Sequence, residues 1–534
     1  MLGATILALS AAAQAAGTAP APEPVSSYRI SLRANGQRLE ISGVGTFPAL
    51  ERPASEFEVY LSALIDTPRF VLRCAGRAVA LEGLASRLDG GDRKWTLHAL
   101  RPCPAGAVPQ LEFGYTLQGI AAPQMRVTDS FSFAGGGGEL WYPQRSFAER
   151  QVGRIDIDVP ARFGAIATGS LRRQSRAGGR RRLRFVSTAP AKLAFAYGPY
   201  VEGEAGGTRL LSTLSPAQAQ ALVRSLRPII DSLGQTFGMP PFAALSLVEV
   251  PFDGRVLGTS EYGMIFAQPE RMRGDFDAPY WGHEFGHQWW GNSVRAASGT
   301  PGASLLTEGL AQYGAGIAIE AIRGPAAGRS FRLGTLGGNP YQSIETYRAV
   351  IRSGRDRAPV FLPQGQEEIL LAHQLATSKG ALVLRYFASL VGEARFHAAL
   401  RSFIAAKAGG RTSWGELEAW IDAQTGGGHS WFFEQWLHRP GAPELAISYC
   451  VAGRTLRAEV SQSGTPFRLQ LPLEIEQAGA KRRVSAEVAG PVTRLSFDGA
   501  GTDAMLSVDP DALVPTAAPT RVVRMRTCPG GAAG

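Results

Sequence analysis

Trp281-Gly282-His283-Glu284-Phe285-Gly286-His287-Gln288-Trp289-Trp290-Gly291-Asn292, followed downstream by Thr307-Glu308-Gly309, is the stretch around which the rest of the chain is arranged. It contains the pattern H-E-x-x-H. On a helix, His283 and His287 lie one turn apart on the same face, so both imidazoles can point at one ion. Glu284 sits one residue round from the first of them, within reach of a water beside that ion but not of the ion itself, as a general base for hydrolysis requires. Two histidines leave a zinc site short of ligands. Glu308, with twenty residues between it and His287, would supply the third and leave a fourth position open. A bare H-E-x-x-H can also be a surface helix with an i, i+4 histidine pair. Here two of only seven histidines fall in the motif.

Outward from this centre, the 534 residues are too many for one core, and three domains is the natural expectation. Hydrophobic residues make up 45% and charged residues 19%, ordinary values for a globular protein, while 64 Gly and 35 Pro imply many turns and short strands. Upstream, from Tyr28 to about residue 206, short alternating runs recur. Tyr28-Arg29-Ile30-Ser31-Leu32 is followed by the turn signal Asn35-Gly36 and by Leu39-Glu40-Ile41, and later by Leu111–Tyr115, Arg154–Val159 and Lys192–Tyr197. These predict an antiparallel β-sandwich or saddle over residues 25–206. The run Gly135 to Gly138 has no Lys-Ser/Thr after it, so it reads as a turn and not a phosphate cradle. The basic cluster Arg172, Arg173, Arg176, Arg180, Arg181, Arg182 and Arg184 flanks Ala177-Gly178-Gly179 and reads as a charged, solvated hairpin. It supplies part of the net charge of +10, so no nucleic-acid role is inferred.

Between residues 207 and 443 the pattern turns helical. Ser215-Pro216 can open a helix with apolar residues Leu222, Leu226, Ile229, Ile230 and Leu233, with Pro228 marking a kink or break. Leu245–Val250 reads as a strand, Leu305 to Ile322 as a helix carrying Glu308, and Ser378-Lys379-Gly380 as a helix start. Ser413 to Glu416 reads as a capping box. From residue 444 to 528, alternating runs such as Leu456–Val460 and Leu469–Leu473 predict a small β-sandwich. Of the three pairings open to four cysteines, only Cys74–Cys103 with Cys450–Cys528 keeps each bridge inside one segment. Such bridges suit an oxidising compartment. Residues 1–16 are apolar and small with Ala13-Gln14-Ala15 as a cleavage signal, which predicts a signal peptide and an exported, periplasmic or extracellular protein. No Lys or Arg precedes the apolar run, and no later stretch is long and apolar enough for stable membrane insertion.

The run H-E-F-G-H-Q-W-W-G-N with T-E-G-L-A-Q-Y after it resembles the zinc site of the aminopeptidase N family of gluzincin metallopeptidases. The resemblance is strongest between Val250 and Glu444, and it implies a thermolysin-like, mainly helical catalytic domain within a multidomain α+β chain. It also implies one zinc per chain on His283, His287 and Glu308, and Glu284 as the base. The substrates it implies are peptides with a free N-terminus. Gly258-Thr259-Ser260-Glu261-Tyr262 stands where the family carries G-x-M-E-N, so Gly258 and Glu261 match its substrate-binding positions, Glu261 as anchor of the α-amino group. Thr259, Ser260 and Tyr262 depart from the family pattern. The gap between His287 and Glu308 is slightly longer than the family's, and Gly299-Thr300-Pro301-Gly302 is a turn-like insertion that would absorb the excess. Thr377 stands where the family has a tyrosine that steadies the oxyanion, a loss worth on the order of 100-fold in rate. His373, one helical turn earlier, or Tyr262 could substitute; the departure bears on activity and not on metal binding. Three readings stay open: an aminopeptidase, a gluzincin cleaving internally or at another bond, and a non-catalytic zinc scaffold.

Overall fold

The computed structural model describes residues 25–528, except 90, 136–138, 147–148, 206, 243–244, 253–257, 275, 298, 337–342 and 363–365. The expected signal peptide, the linker after it and most of the Gly135 to Gly138 turn lie outside the described residues. The chain is a mixed α+β, multidomain structure.

Alternation builds the first layer. Tyr28, Ile30 and Leu32 of strand Ser27–Asn35 are buried, and this strand pairs in parallel with Gln151–Pro160, placing Ile30 beside Ile155 and Leu32 beside Ile157. These strands belong to an eight-stranded sheet that continues through the hairpin Ser170–Ala177/Arg180–Ala191, where the arginine cluster lies. A three-stranded and a five-stranded sheet complete the layer around one core. Both cysteine pairs, Cys74–Cys103 and Cys450–Cys528, are joined as disulfides.

A second five-stranded sheet runs in the order Val201–Ala205, Thr208–Ser212, Leu245–Glu249, Met264–Ala267 and Gly258–Glu261. Its first two strands are antiparallel and pair from Val201 with Ser212 to Ala205 with Thr208. Period two sends this sheet's side chains into two different cores. Leu210, Leu247, Ile265 and Ala267 join the helices, whereas Leu211, Val248, Met264 and Phe266 join the N-terminal layer. Gly258–Glu261 is the edge strand nearest the metal-binding motif.

Helix Pro216–Phe237 opens on Ser215, whose side chain accepts from Gln218 in a capping box, and it buries Leu222, Leu226, Ile229 and Leu233. It runs through Pro228 as one element. The break expected there does not occur, because the buried stripe continues to Phe237, whose ring packs 5.8 Å from those of Trp289 and Trp290. The helical core is continuous with the C-terminal strands: Trp436 packs on Phe467 at 4.8 Å, and Leu445, Leu456, Leu469 and Leu473 share its cluster. Those strands form a four-stranded and a three-stranded sheet.

The motif helix is Ala278–Trp289. Asp277 caps it by accepting from the Tyr280 amide at 3.1 Å, and Trp281, Phe285 and Trp289 bury one face. It lies against helix Leu310–Arg323 at a distance that two glycines set. A Cβ on Gly282 would come within 2.9 Å of Ala315 Cα, and one on Gly286 within 2.8 Å of Ala311 Cα. Small residues four apart on both helices thus let the backbones touch, and this contact brings Glu308 to the histidines. Gly286→Ala is expected to push the helices apart, to destabilise the protein by about 1–3 kcal/mol in denaturant unfolding, and to weaken metal binding measured by chelator competition.

Candidate metal centre

His283 Nε2 and His287 Nε2 lie 3.1 Å apart, and Glu308 Oε2 lies 3.4 Å from the first and 3.5 Å from the second. A tetrahedral ion with ligands at about 2.0–2.1 Å holds its ligand atoms about 3.4 Å from one another. The three donor atoms therefore stand at the corners such an ion needs. This is the group among the described residues that could hold a metal ion.

Hydrogen bonds aim the two imidazoles. His283 Nδ1 donates to Gln312 Oε1 at 3.0 Å, and His287 Nδ1 donates to the Trp290 carbonyl at 3.2 Å. Both acceptors are oxygens that can only accept, so each Nδ1 carries its proton and each Nε2 presents its lone pair to the common point. Gln312 lies one turn beyond Glu308. Its spacing from a ligand was a signal available in the sequence and not used. Gln312→Leu is expected to lower metal affinity about 10–100-fold, read by titration against a competing chelator, with the three ligands unchanged.

Charge at the site asks for a cation. Burial works against a proton on His287, but the charge and hydrogen bond of Glu308, with Glu284 and the Trp290 carbonyl, outweigh it and push the imidazole up to about 9. Burial likewise acts to raise Glu308, yet His287, His283 and His373 together hold it well below the usual carboxylate range. In the metal-free protein a proton meets a demand that a metal ion would meet instead.

Glu308 sits in a π-helical segment, Leu305–Gly309, that leads into Leu310–Arg323. Glu320, twelve residues on, is taken up by Arg332 and by Arg385 at 3.1 Å and serves structure. Tyr313 is buried and its hydroxyl meets His397 Nε2 at 2.7 Å, while Trp289 is wholly buried, so both are packing residues.

Glu284 is 8% exposed, and burial raises its pKa, with the neighbouring histidines opposing and Glu308 reinforcing that shift. The edge strand Gly258–Glu261 is clamped against its helix. Ser260 Oγ donates to the Glu284 carbonyl at 2.9 Å, Gln288 Nε2 donates to Ser260 Oγ at 2.6 Å and to the Glu261 carbonyl at 3.0 Å, and Asn292 Nδ2 donates to the Ser260 carbonyl at 3.1 Å. The Gln and Asn of H-Q-W-W-G-N are thus the stitches between motif and strand. Gly258 also faces Glu284: a Cβ there would overlap the Tyr280 hydroxyl and lie 3.1 Å from Glu284 Oε1. Tyr280, one turn before Glu284, is a site residue that the sequence reading missed.

Glu261 is 2% exposed and follows Ser260, so strand alternation sends its side chain away from the motif helix. There it is within range of the charges of Arg150 and Lys192 and of the Tyr142 hydroxyl. Burial, with Arg150 beside it, lowers Lys192 to about 7. Ser378-Lys379-Gly380 is not a helix start. Helix Gln366–Leu375 passes through a second π segment, Ala376–Gly380, into Ala381–Val391. Thr377 is buried there, its hydroxyl donating to the His373 carbonyl at 2.9 Å. The Tyr262 hydroxyl donates to the Pro241 carbonyl. His373, by contrast, reaches the metal centre, with Nδ1 3.4 Å from Glu308 Oε2.

Comparison with models of known protein families gives no match, and comparison with curated proteins gives none either.

Proposed function

We propose that this protein is an exported, zinc-dependent aminopeptidase of the aminopeptidase N type, with a thermolysin-like catalytic unit between an N-terminal β layer and a C-terminal β-sandwich. The observation that carries the proposal is the tetrahedral spacing of His283, His287 and Glu308 beside a buried carboxylate that has no part in holding the ion. Two imidazoles and one carboxylate suit zinc far better than calcium or magnesium, which take oxygen ligands. The two disulfides support an oxidising compartment. Among the described residues, no helix is long and apolar enough to cross a membrane.

When bound, zinc would polarise the scissile carbonyl and lower the pKa of the attacking water. Glu284 takes that water's proton and carries it to the leaving amine. Its burial favours the task, because a carboxylate raised towards neutrality accepts and releases a proton more readily at working pH. An extended peptide adds along the edge strand Gly258–Glu261, which the glycine at 258 allows to pack closely against Tyr280 and Glu284. In this reading the anchor of the free α-amino group is Glu261, whose carboxylate lies on the opposite face of the strand from Gly258, towards Arg150 and Lys192.

A second reading rests on one observation. Arg150 and Lys192 already stand near the Glu261 carboxylate, and a substrate ammonium would compete with them. A hydrolase indifferent to the amino terminus would have this arrangement too. The test is a fluorogenic peptide with a free N-terminus beside its N-acetylated twin. Cleavage of the first alone supports the aminopeptidase; equal cleavage of both moves the assignment to an internally cleaving enzyme.

A further inference from the structure

One side chain at the centre has no assigned part. His373 Nδ1 lies 3.4 Å from Glu308 Oε2, the same oxygen that lies 3.4 and 3.5 Å from the Nε2 atoms of His283 and His287. Its side chain is 49% exposed, against 13%, 16% and 24% for those three, so the ring borders the open side of the site. Its approach is built into the backbone. The π segment that follows its helix packs on the π segment of Glu308, with the Ala376 carbonyl only 3.2 Å from where a Cβ of Gly309 would stand. Segments of this kind occur often at functional sites.

Hydrolysis needs a donor where charge develops. As the water oxygen bonds to the carbonyl carbon, the π pair moves onto the carbonyl oxygen, and an N–H or O–H aimed at that oxygen lowers the barrier. Among the described residues, the hydroxyls of Thr377, Tyr262 and Tyr313 are committed elsewhere: Thr377 to the His373 carbonyl, Tyr262 to the Pro241 carbonyl, and Tyr313 to His397. The Tyr280 hydroxyl is packed against Gly258, beside Glu284. We propose that His373 is the oxyanion donor, its Nδ1–H, which faces Glu308 Oε2 in the free protein, turning to the carbonyl oxygen of the scissile amide as that oxygen gains charge. This rests on the reading of the protein as an amide hydrolase. When the C–N bond breaks, the pair returns from oxygen to re-form the carbonyl, Glu284 gives its proton to the amine, and His373 keeps its own.

The test uses zinc-loaded protein, His373→Ala and His373→Gln, with three readouts. These are zinc content, kcat and KM on an aminoacyl amide, and inhibition by a phosphinic dipeptide whose tetrahedral phosphorus copies the intermediate. Expected in His373→Ala are unchanged zinc content, a kcat lower by about 100-fold or more with little change in KM, and a similar loss in phosphinate affinity. His373→Gln, which keeps an N–H donor, recovers part of both. Zinc content well below that of the wild type would make His373 a metal ligand and overturn the proposal, as would unchanged kcat and phosphinate affinity. A wild-type protein that neither turns over amides nor binds the phosphinate overturns the hydrolase reading and this proposal together. One that does both and is indifferent to residue 373 overturns this proposal alone.

Discussion

Glu284→Gln is expected to lower turnover of any amide substrate by about 10³-fold or more while leaving bound zinc stoichiometric. Gln keeps the shape of the side chain but cannot take a proton. Base catalysis by a positioned carboxylate contributes about 10²–10⁴-fold, and here one residue is asked both to take the proton from water and to return it to the amine. The separation of effects follows from geometry. Glu284 is adjacent to His283 in sequence, yet the metal-binding group is His283, His287 and Glu308, and Glu284 Oε1 is directed, with the Tyr280 hydroxyl of the same helix, at Gly258 of the edge strand. Removing its charge leaves the three donor atoms in place. Steady-state rates alongside metal analysis of the same preparation check both halves. A variant that loses zinc together with activity would show that Glu284 helps to hold the ion, which the spacing does not allow for.

Glu308→Ala is expected to abolish stoichiometric binding, with a loss of affinity well beyond the 10–100-fold that changes in supporting hydrogen bonds cost. Glu308 Oε2 stands between both imidazoles, and without it two neutral nitrogens are left to bind a divalent cation. The variant also removes the anion that raises His287, so the two histidines lose the partner that now orders them. Chelator competition followed by metal analysis reads the effect, and circular dichroism establishes that the fold survives. Retention of tight binding would mean that His373, 3.4 Å from the missing oxygen, can take over as third ligand.

How much of this was written in the sequence depends on the range of the interaction. The grouping of His283, His287 and Glu308 was legible, because a metal site advertises itself by residue type at helical spacing. The caps at Ser215 and Ser413 were legible for the same reason, since each is satisfied within one turn. The disulfide pairing followed from the segments that alternation marked out. What could not be read was contact between distant segments. Nothing in H-E-F-G-H says that Gly286 exists to admit Ala311, or that Gln288 and Asn292 reach a strand some thirty residues earlier. Thr377 and His373 are one turn apart on the same stretch, and only the packing of two π segments on each other decides that the histidine meets Glu308 while the threonine turns inward. Glu261 is the sharpest case. Its position on the edge strand was legible, but the two cations beside it come from the N-terminal layer, far away in sequence.

The measurement that tests the central claim most directly is hydrolysis of a panel of aminoacyl fluorogenic amides by metal-free protein before and after addition of one equivalent of zinc. Turnover that is absent in the metal-free protein, appears with zinc and is removed again by a chelator is the result expected of a metal centre built from His283, His287 and Glu308. Zinc bound tightly at one equivalent with no turnover on any amide would contradict the assignment as an aminopeptidase and make the site a binding or structural one.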